Sequence, residues 1–378
     1  MKRLHLDKIA SVTARLALDR NAVVSDNIPA EAGTVIACRV LNAKRAYNTL
    51  EDVHGRKLAL HPGDVIAGAL GHRNALYGYS GVVPDEVHVG DELQLLNLGG
   101  VIGTGAEPCP SHGEPFQLQV LGSVLEFPYL ATRVGVPANI QRGALPGGAM
   151  PDAADLPPLV VLVGTCMDAG KTTAAAALIH QWSHGGLRVA AGKLTGVSLR
   201  RDVLEMRDCG AEPVGLFTDF GVVTTDESNA VAAAHGLVRH LSESQPDRIV
   251  LEMGDGLLGT YGVRALLSDP ALSAAIQATI VCAQDPVGAQ GAQRILREEY
   301  GLETDVLSGR VTDTPVGLAF CRDELGVPAW NALRHGAQLA ETVSSAISNR
   351  TAAALPSGSA RAVARVSGAA GVSKGSDA

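Results

Sequence analysis

The six cysteines of this 378-residue chain (Cys38, Cys109, Cys166, Cys209, Cys282 and Cys321) never fall in a C-x-x-C pair. That absence argues against both a zinc site and a disulfide framework, and the thiols read as reduced and mostly buried. Lysine and arginine (31) are outnumbered by aspartate and glutamate (39), the net charge is −8, and no basic block occurs. The chain therefore lacks the electrostatic footprint of a nucleic-acid binder. No uninterrupted apolar run approaches the roughly 20 residues of a membrane span. The N-terminal stretch MKRLHLDKIASVTARLALDR is interrupted by Asp7, Lys8 and Arg15, so no signal-peptide core forms. The expectation is a soluble, cytoplasmic protein whose partner is a small, anionic substrate rather than nucleic acid or membrane. What is present is apolar material, 46% against 19% charged, enough for large cores, in a length that suits two domains of roughly 100–200 residues.

The pattern changes twice along the chain. Residues 4–20 fit helix or strand equally. From Gly33, short runs rich in Val, Ile and Leu (GTVIACRVLNA, RKLALHPGDVIAGALG, HVGDELQLLNLGGVIGTG, FQLQVLGSVLEF) alternate with turn residues, which predicts a β-rich unit over 1–130, a small barrel or sandwich. Its loop HRNALYGYSG, with His72, Arg73, Tyr77 and Tyr79, reads either as part of a substrate pocket or as solvated loop residues and strand-edge aromatics. Residues 131–158, dense in Pro, Gly and small side chains, have linker composition. From 159 to 348 strand-like and helix-like segments alternate, ending in a helix near Ala329 to Ile347. This is the signature of an α/β fold with a doubly wound, mostly parallel sheet, whose ligands bind at the carboxyl ends of the strands. The small-residue segment 349–378 reads as a disordered tail.

The most informative stretch is LVVLVGTCMDAGKTTAAAALIH, Leu159 to His180. A buried strand enters a turn at Gly164 and leaves through Gly170, Lys171, Thr172 and Thr173 into an alanine-rich helix. That is the layout of a phosphate-binding loop, in which backbone N–H groups, a lysine and a helix N-terminus surround a polyphosphate and the following threonine ligates magnesium. The first glycine stands one residue earlier than G-x-x-x-x-G-K-S/T requires, so Thr165 occupies its usual place. Gly164, Thr165, Ala169, Gly170, Lys171, Thr172 and Thr173 are the expected nucleotide-binding residues. Asp168, inside the loop, either faces magnesium or a cationic or hydroxylic substrate, or merely caps the helix.

Two further segments end at the same edge. RVAAGKLTG brings Lys193 to the end of a strand, where its ammonium can pair with a carboxylate or phosphate. DRIVLEMGDGLLG ends a strand in Glu252, the acid that a magnesium-bound polyphosphate needs opposite Thr172, followed by glycines and Asp255. Asp219 and Asp285 also end strand-like runs. Each is a second magnesium ligand, a substrate anchor or a turn residue.

Taken in order, GTCMDAGKTT, GKLTG and LEMGDGLLG, with IVCAQDPVGAQGAQRIL and ELGVPAWNA after them, resemble the P-loop enzymes of the dethiobiotin synthetase and cobyrinic acid amidating synthetase group over about Leu159 to Ala346. They also resemble a P-loop family long labelled only as a domain of unknown function, with members proposed to be D-glutamate N-acetyltransferases, which shares the K-x-T-G strand and an Asp-Phe element like Asp219-Phe220. Cys166 stands where dethiobiotin synthetase has an Asp, and Leu194 and Met253 replace a proline and a glycine. The first resemblance implies ATP and magnesium as cofactors: Lys171 and the loop amides on the phosphates, Thr172 and Glu252 (with Asp219 as a further candidate) on the metal. Lys193 and Asp168 then stand at the acceptor, a carboxylate or carbamate that attacks the γ-phosphorus. The second implies acyl transfer, with coenzyme A phosphates on the loop. A nucleotide-dependent switch is the non-enzymatic reading. Both resemblances make a homodimer the default.

Overall fold

The computed structural model describes residues 1–129 and 134–354. The first unit contains β1 (Lys2–His5), β2 (Lys8–Ile9), β3 (Asn21–Ser25), β4 (Val35–Val40), β5 (Thr49–Glu51), β6 (Lys57–Ala59), β7 (Val65–Leu70), β8 (Arg73–Asn74), β9 (Ser80–Gly81), β10 (Glu92–Leu95), β11 (Val101–Gly103), β12 (Phe116–Tyr129) and β13 (Val134–Pro137). Pairing runs from β12 to β10, β11, β7, β4 and back to β12. The ladder closes on itself, so of the two expected forms, barrel or sandwich, the barrel is present, and its strands have no free edges along that circuit. Its interior is filled by residues such as Ile36, Cys38, Ile66, Leu70, Leu93, Ile102, Phe116 and Leu118. Residues 4–20 supply both strand pieces and a short 3-10 helix, Ser11–Leu16.

The linker reading of 131–158 gives way over much of that range. Val134–Pro137 hydrogen-bonds to β12 as an antiparallel strand, and Ala138 and Ile140 are buried in the barrel core. A Pro- and Gly-rich composition there marks strand ends and turns, since a short edge strand tolerates both. Residues 131–133 lie outside the described residues. So do 355–378 of the expected tail, while 349–354 continue the last helix.

The second unit alternates β14 (Leu159–Gly164), α1 (Lys171–His184), β15 (Val189–Thr195), α2 (Arg201–Asp208), β16 (Ala211–Leu216), α3 (Ala230–Ser242), β17 (Arg248–Met253), α4 (Val263–Ser268), α5 (Pro270–Ala275), β18 (Ile276–Cys282), α6 (Pro286–Tyr300), β19 (Val306–Ser308), α7 (Pro315–Ala319) and α8 (Gly336–Ala354). The six strands are parallel in the order β16-β15-β17-β14-β18-β19. Successive strand residues point to opposite faces. Leu159, Val161 and Val163 therefore join the core under α3 to α6, while Val160 and Leu162 join the one under α1 and α8. The sheet is thus doubly wound, as expected. The last helix starts at Gly336 rather than Ala329, because Asn331 is held in a loop by Thr312 and Asp313.

The two units are packed closely. Val223, from the α/β unit, is buried in the barrel's hydrophobic core. Asn97 donates to the Ser198 carbonyl at 2.7 Å, and a Cβ on Gly99 would lie 2.0 Å from that same oxygen, so only glycine permits the approach. Glu51, at the end of β5 and 2% exposed, accepts hydrogen bonds from the backbone N–H groups of Arg200 (2.7 Å) and Arg201 (3.1 Å) at the start of α2.

Candidate functional site

Strand periodicity positions the charged groups. On β17, Val250 packs on the α1 side, so Glu252, two residues on, points the same way; on β15, Val189 and Ala191 pack there, which carries Lys193 to that side as well. Thr172, in the first turn of α1, meets Glu252: its Oγ1 donates to Oε2 at 2.9 Å. Lys193 Nζ lies 4.0 Å from Glu252 Oε1 and pairs closely with Asp202 of α2.

The loop itself depends on its glycines at two points. Lys171 folds back over Gly164, where an added Cβ would lie 2.8 Å from Nζ, and Gly170 takes φ 98° at the helix start. Lys171 Nζ donates to the carbonyls of Cys166 (2.9 Å) and Asp255 (2.6 Å), which pins the ammonium above the loop. Ala169 is fully buried, while Thr173 is half-buried on the cavity wall. Thr165 anchors the loop, since its N–H donates to the Cys282 carbonyl at 3.0 Å and its Oγ1 accepts from Gln284 N at 3.3 Å.

Asp168 is exposed at φ 58° and lines the cavity; Gly170 occupies the N-cap position with no side-chain cap, so capping is not Asp168's role. Asp285 does cap, accepting from Gly288 N at 2.8 Å at the start of α6. The expectation that Asp219 is a magnesium ligand is not met. Its carboxylate accepts from Leu216 N (3.0 Å) and pairs with Arg200 (3.2 Å), away from Thr172 and Glu252. A polar group engaged twice in a buried turn is a structural anchor.

Electrostatics bind the cluster together. Burial opposes the charge on Lys193, but the carboxylates of Asp202 and Glu252 outweigh it, so its pKa stands above the ordinary lysine value. Burial also works against ionised Asp202, yet Lys193 and Arg201 hold its carboxyl below the usual range. Glu252 is pushed up by burial, which Lys193 offsets only in part. Among the described residues no group of three or more His, Cys, Asp or Glu side chains converges as a metal cage. Any magnesium would then take Thr172 and Glu252 from the protein and its other ligands from phosphate and water, the usual economy of such sites.

These groups open on one cavity of about 830 Å³ between the two units. The α/β side contributes Lys171, Thr172, Lys193, Asp202, Glu252 and Asp255; the barrel side contributes Tyr47, Arg73, Tyr77, Asn97 and His112. Of the loop HRNALYGYSG, Arg73 and Tyr77 line this cavity. Asp202, Tyr47, His112, Tyr261 and Asn331 escaped the sequence reading. An acid in the first turn of a helix is ordinary, and nothing local to the other four marks them.

No family model matches this sequence, and no curated protein matches it. Among solved structures it is similar to the signal recognition particle receptor FtsY of Elizabethkingia anophelis, with 15% identity, TM-score 0.36 and coverage of 50% of this chain and 65% of that one. A DUF1611 family protein of Anabaena variabilis matches with 16% identity, TM-score 0.38 and coverage of 55% and 64%. The cell division protein FtsY of Thermotoga maritima matches with 15% identity, TM-score 0.35 and coverage of 53% and 70%. The chain covers slightly under two thirds of the length of the first two. Such scores add nothing to what the strand order and the loop show directly.

Proposed function

We propose that this chain is a nucleotide- and magnesium-dependent enzyme that activates a small carboxylate or carbamate by phosphoryl transfer between its two units. The observation that carries the reading is the single cavity onto which the phosphate loop, the Thr172–Glu252 pair, Lys193 and the barrel wall all open. Hard oxygen donors 2.9 Å apart, behind a strand–loop–helix turn with a buried lysine, suit magnesium and a polyphosphate. Magnesium ATP, when bound, supplies the transferable phosphoryl group.

The rest is positioning and charge. Lys171 and the loop N–H groups bind the phosphates, while Gly164 lets the lysine side chain lie over the strand end. Lys193 stays protonated beside Asp202 and orients an anionic acceptor at the edge of β15. Asp168, exposed on the loop and lining the cavity, is the acid assigned to the acceptor in this reading. The barrel excludes water and shapes the acceptor space.

The test is ADP release from magnesium ATP in the presence of small carboxylates and amines, with Lys171→Ala as the inactive control. Loss of acetyl-coenzyme A without ADP formation would replace this reading with acyl transfer. Nucleotide binding without turnover of either would leave a switch.

A further inference from the structure

We infer that Arg310 is a further binding residue of this site, the side chain that pairs with the phosphates of the nucleotide from the β19 side of the loop. This rests on the reading above that the loop holds a nucleotide.

Five lysine and arginine side chains line the cavity: Arg73, Lys171, Lys193, Arg201 and Arg310. Four of them are already engaged. Arg73 donates to the carbonyls of Tyr77, Tyr79 and Leu96, and Lys171 to those of Cys166 and Asp255. Lys193 pairs with Asp202, and Arg201 Nε lies 3.5 Å from the other oxygen of the same carboxylate. Arg310 differs. It is exposed, and among the described residues its guanidinium has no hydrogen-bond or ion-pair partner.

The backbone that carries Arg310 is fixed against the phosphate loop. The residue before it, Gly309, follows β19 with φ 85°, and a Cβ there would lie 2.1 Å from the Ala169 carbonyl oxygen. A Cβ on Gly170 would in turn lie 3.1 Å from Gly309 Cα, so the two glycines let one backbone rest on the other. Val311 N–H donates to the Ala283 carbonyl at 3.0 Å, which ties the turn to the end of β18. Asn331 Nδ2 donates to Asp313 Oδ1 and Arg334 Nη1 to the Asp313 carbonyl, each at 2.9 Å. Arg310 therefore has a pinned root beside the loop and an uncommitted head.

Charge decides what that head takes. The cavity already carries the carboxylates of Asp168, Asp202, Glu205, Glu252, Asp255 and Asp313. A polyphosphate brings more negative charge beside them, and magnesium offsets only part of it. Every other lysine or arginine on the wall would have to give up a contact to answer it. Arg310 answers it without loss, and its planar fork of donors fits two phosphate oxygens at once.

The experiment titrates magnesium ATP and magnesium tripolyphosphate, which has the phosphates and no base, calorimetrically into the full chain. Arg310→Ala should weaken both ligands by roughly tenfold or more, the loss of a charge-assisted hydrogen bond, and by the same factor. Arg310→Lys keeps the charge without the fork and should lose less than the alanine variant. The side chain is exposed, so both variants should melt with the wild type, and the melting temperature verifies this. The inference is overturned if Arg310→Ala binds both ligands within about twofold of the wild type. It is also overturned if only ATP is weakened, or if the wild type binds ATP and not tripolyphosphate, since the guanidinium would then serve the base. A wild-type chain that binds neither ligand refutes the nucleotide reading itself and this inference with it, a result distinct from wild-type binding that Arg310→Ala leaves untouched.

Discussion

Replacing Glu51 with alanine tests whether the barrel holds the α2 wall of the cavity in place. Helix α2 has Arg200 at its N-cap position and no side-chain cap of its own, so the Glu51 carboxylate performs that function from a different domain. Losing a helix cap costs about 0.5–2 kcal/mol, and a hydrogen bond to a charged group is worth roughly 1.5–3 kcal/mol. The Arg201 side is exposed, so water can replace part of the second bond. A destabilisation of about 2–3 kcal/mol follows. At roughly 2–4 °C per kcal/mol for domains of 150–250 residues, the melting temperature should fall by on the order of 5–10 °C. Glu51→Gln keeps one oxygen acceptor and should lose about half as much. The consequence for the site is more specific, because α2 carries Asp202, the partner of Lys193. Amide hydrogen exchange over residues 198–206 should quicken in Glu51→Ala beyond any change in β14. If the variant melts within the roughly 0.5 kcal/mol scatter of a surface change such as Glu86→Ala, or if exchange at α2 is unchanged, the barrel does not position this wall.

Glu252→Gln should remove the magnesium dependence of nucleotide affinity while leaving the fold intact, measured by titrating ATP with and without magnesium; retained dependence would exclude Glu252 from the metal. Asp202→Asn strips Lys193 of its main counter-charge, so burial should then lower its pKa and make the amine acylate at lower pH; mass-spectrometric labelling that finds Lys193 as inert as before would contradict the pairing. Lys44 is pushed down to about 8 by burial, against 10.5 for an ordinary lysine. Between those values the unfolded chain keeps a proton that the folded one has released, so this group makes stability rise with pH across that window. Lys44→Met should lose that part of the slope in denaturant melts at pH 7.5 and 10, and an unchanged slope would rule it out.

The residues legible in the sequence were those whose chemistry and strand position coincide. Lys171 and Thr172 lie in a spacing with few other uses, and Lys193 and Glu252 end apolar strands whose alternation fixes the face they point to. Asp219 looked equivalent by the same criterion, yet its run ends in a tight turn that uses the carboxylate locally and pairs it with Arg200. Only tertiary contact separates such cases. Asp202 was hidden because the first turn of a helix is a common place for an acid, and Tyr261 because a lone tyrosine in a glycine-rich loop has no pattern. The barrel was visible as repeated short apolar runs, but its closure depends on a parallel β7–β11 pairing between strands far apart in the chain, which no local signal encodes.

Val223 gives the architecture a consequence for engineering. Its side chain belongs to the α/β unit by sequence but to the barrel by packing, and Gly71 is bare so that this methyl cluster can enter, a Cβ there lying 2.5 Å from Val223 Cγ1. Cutting the chain near residue 144 would leave the second half with an uncovered apolar plug and the first with a hole in its core. These two units should resist recombination with foreign partners, and the chemistry of the shared cavity is better altered by changing side chains within it than by grafting another cover onto the loop.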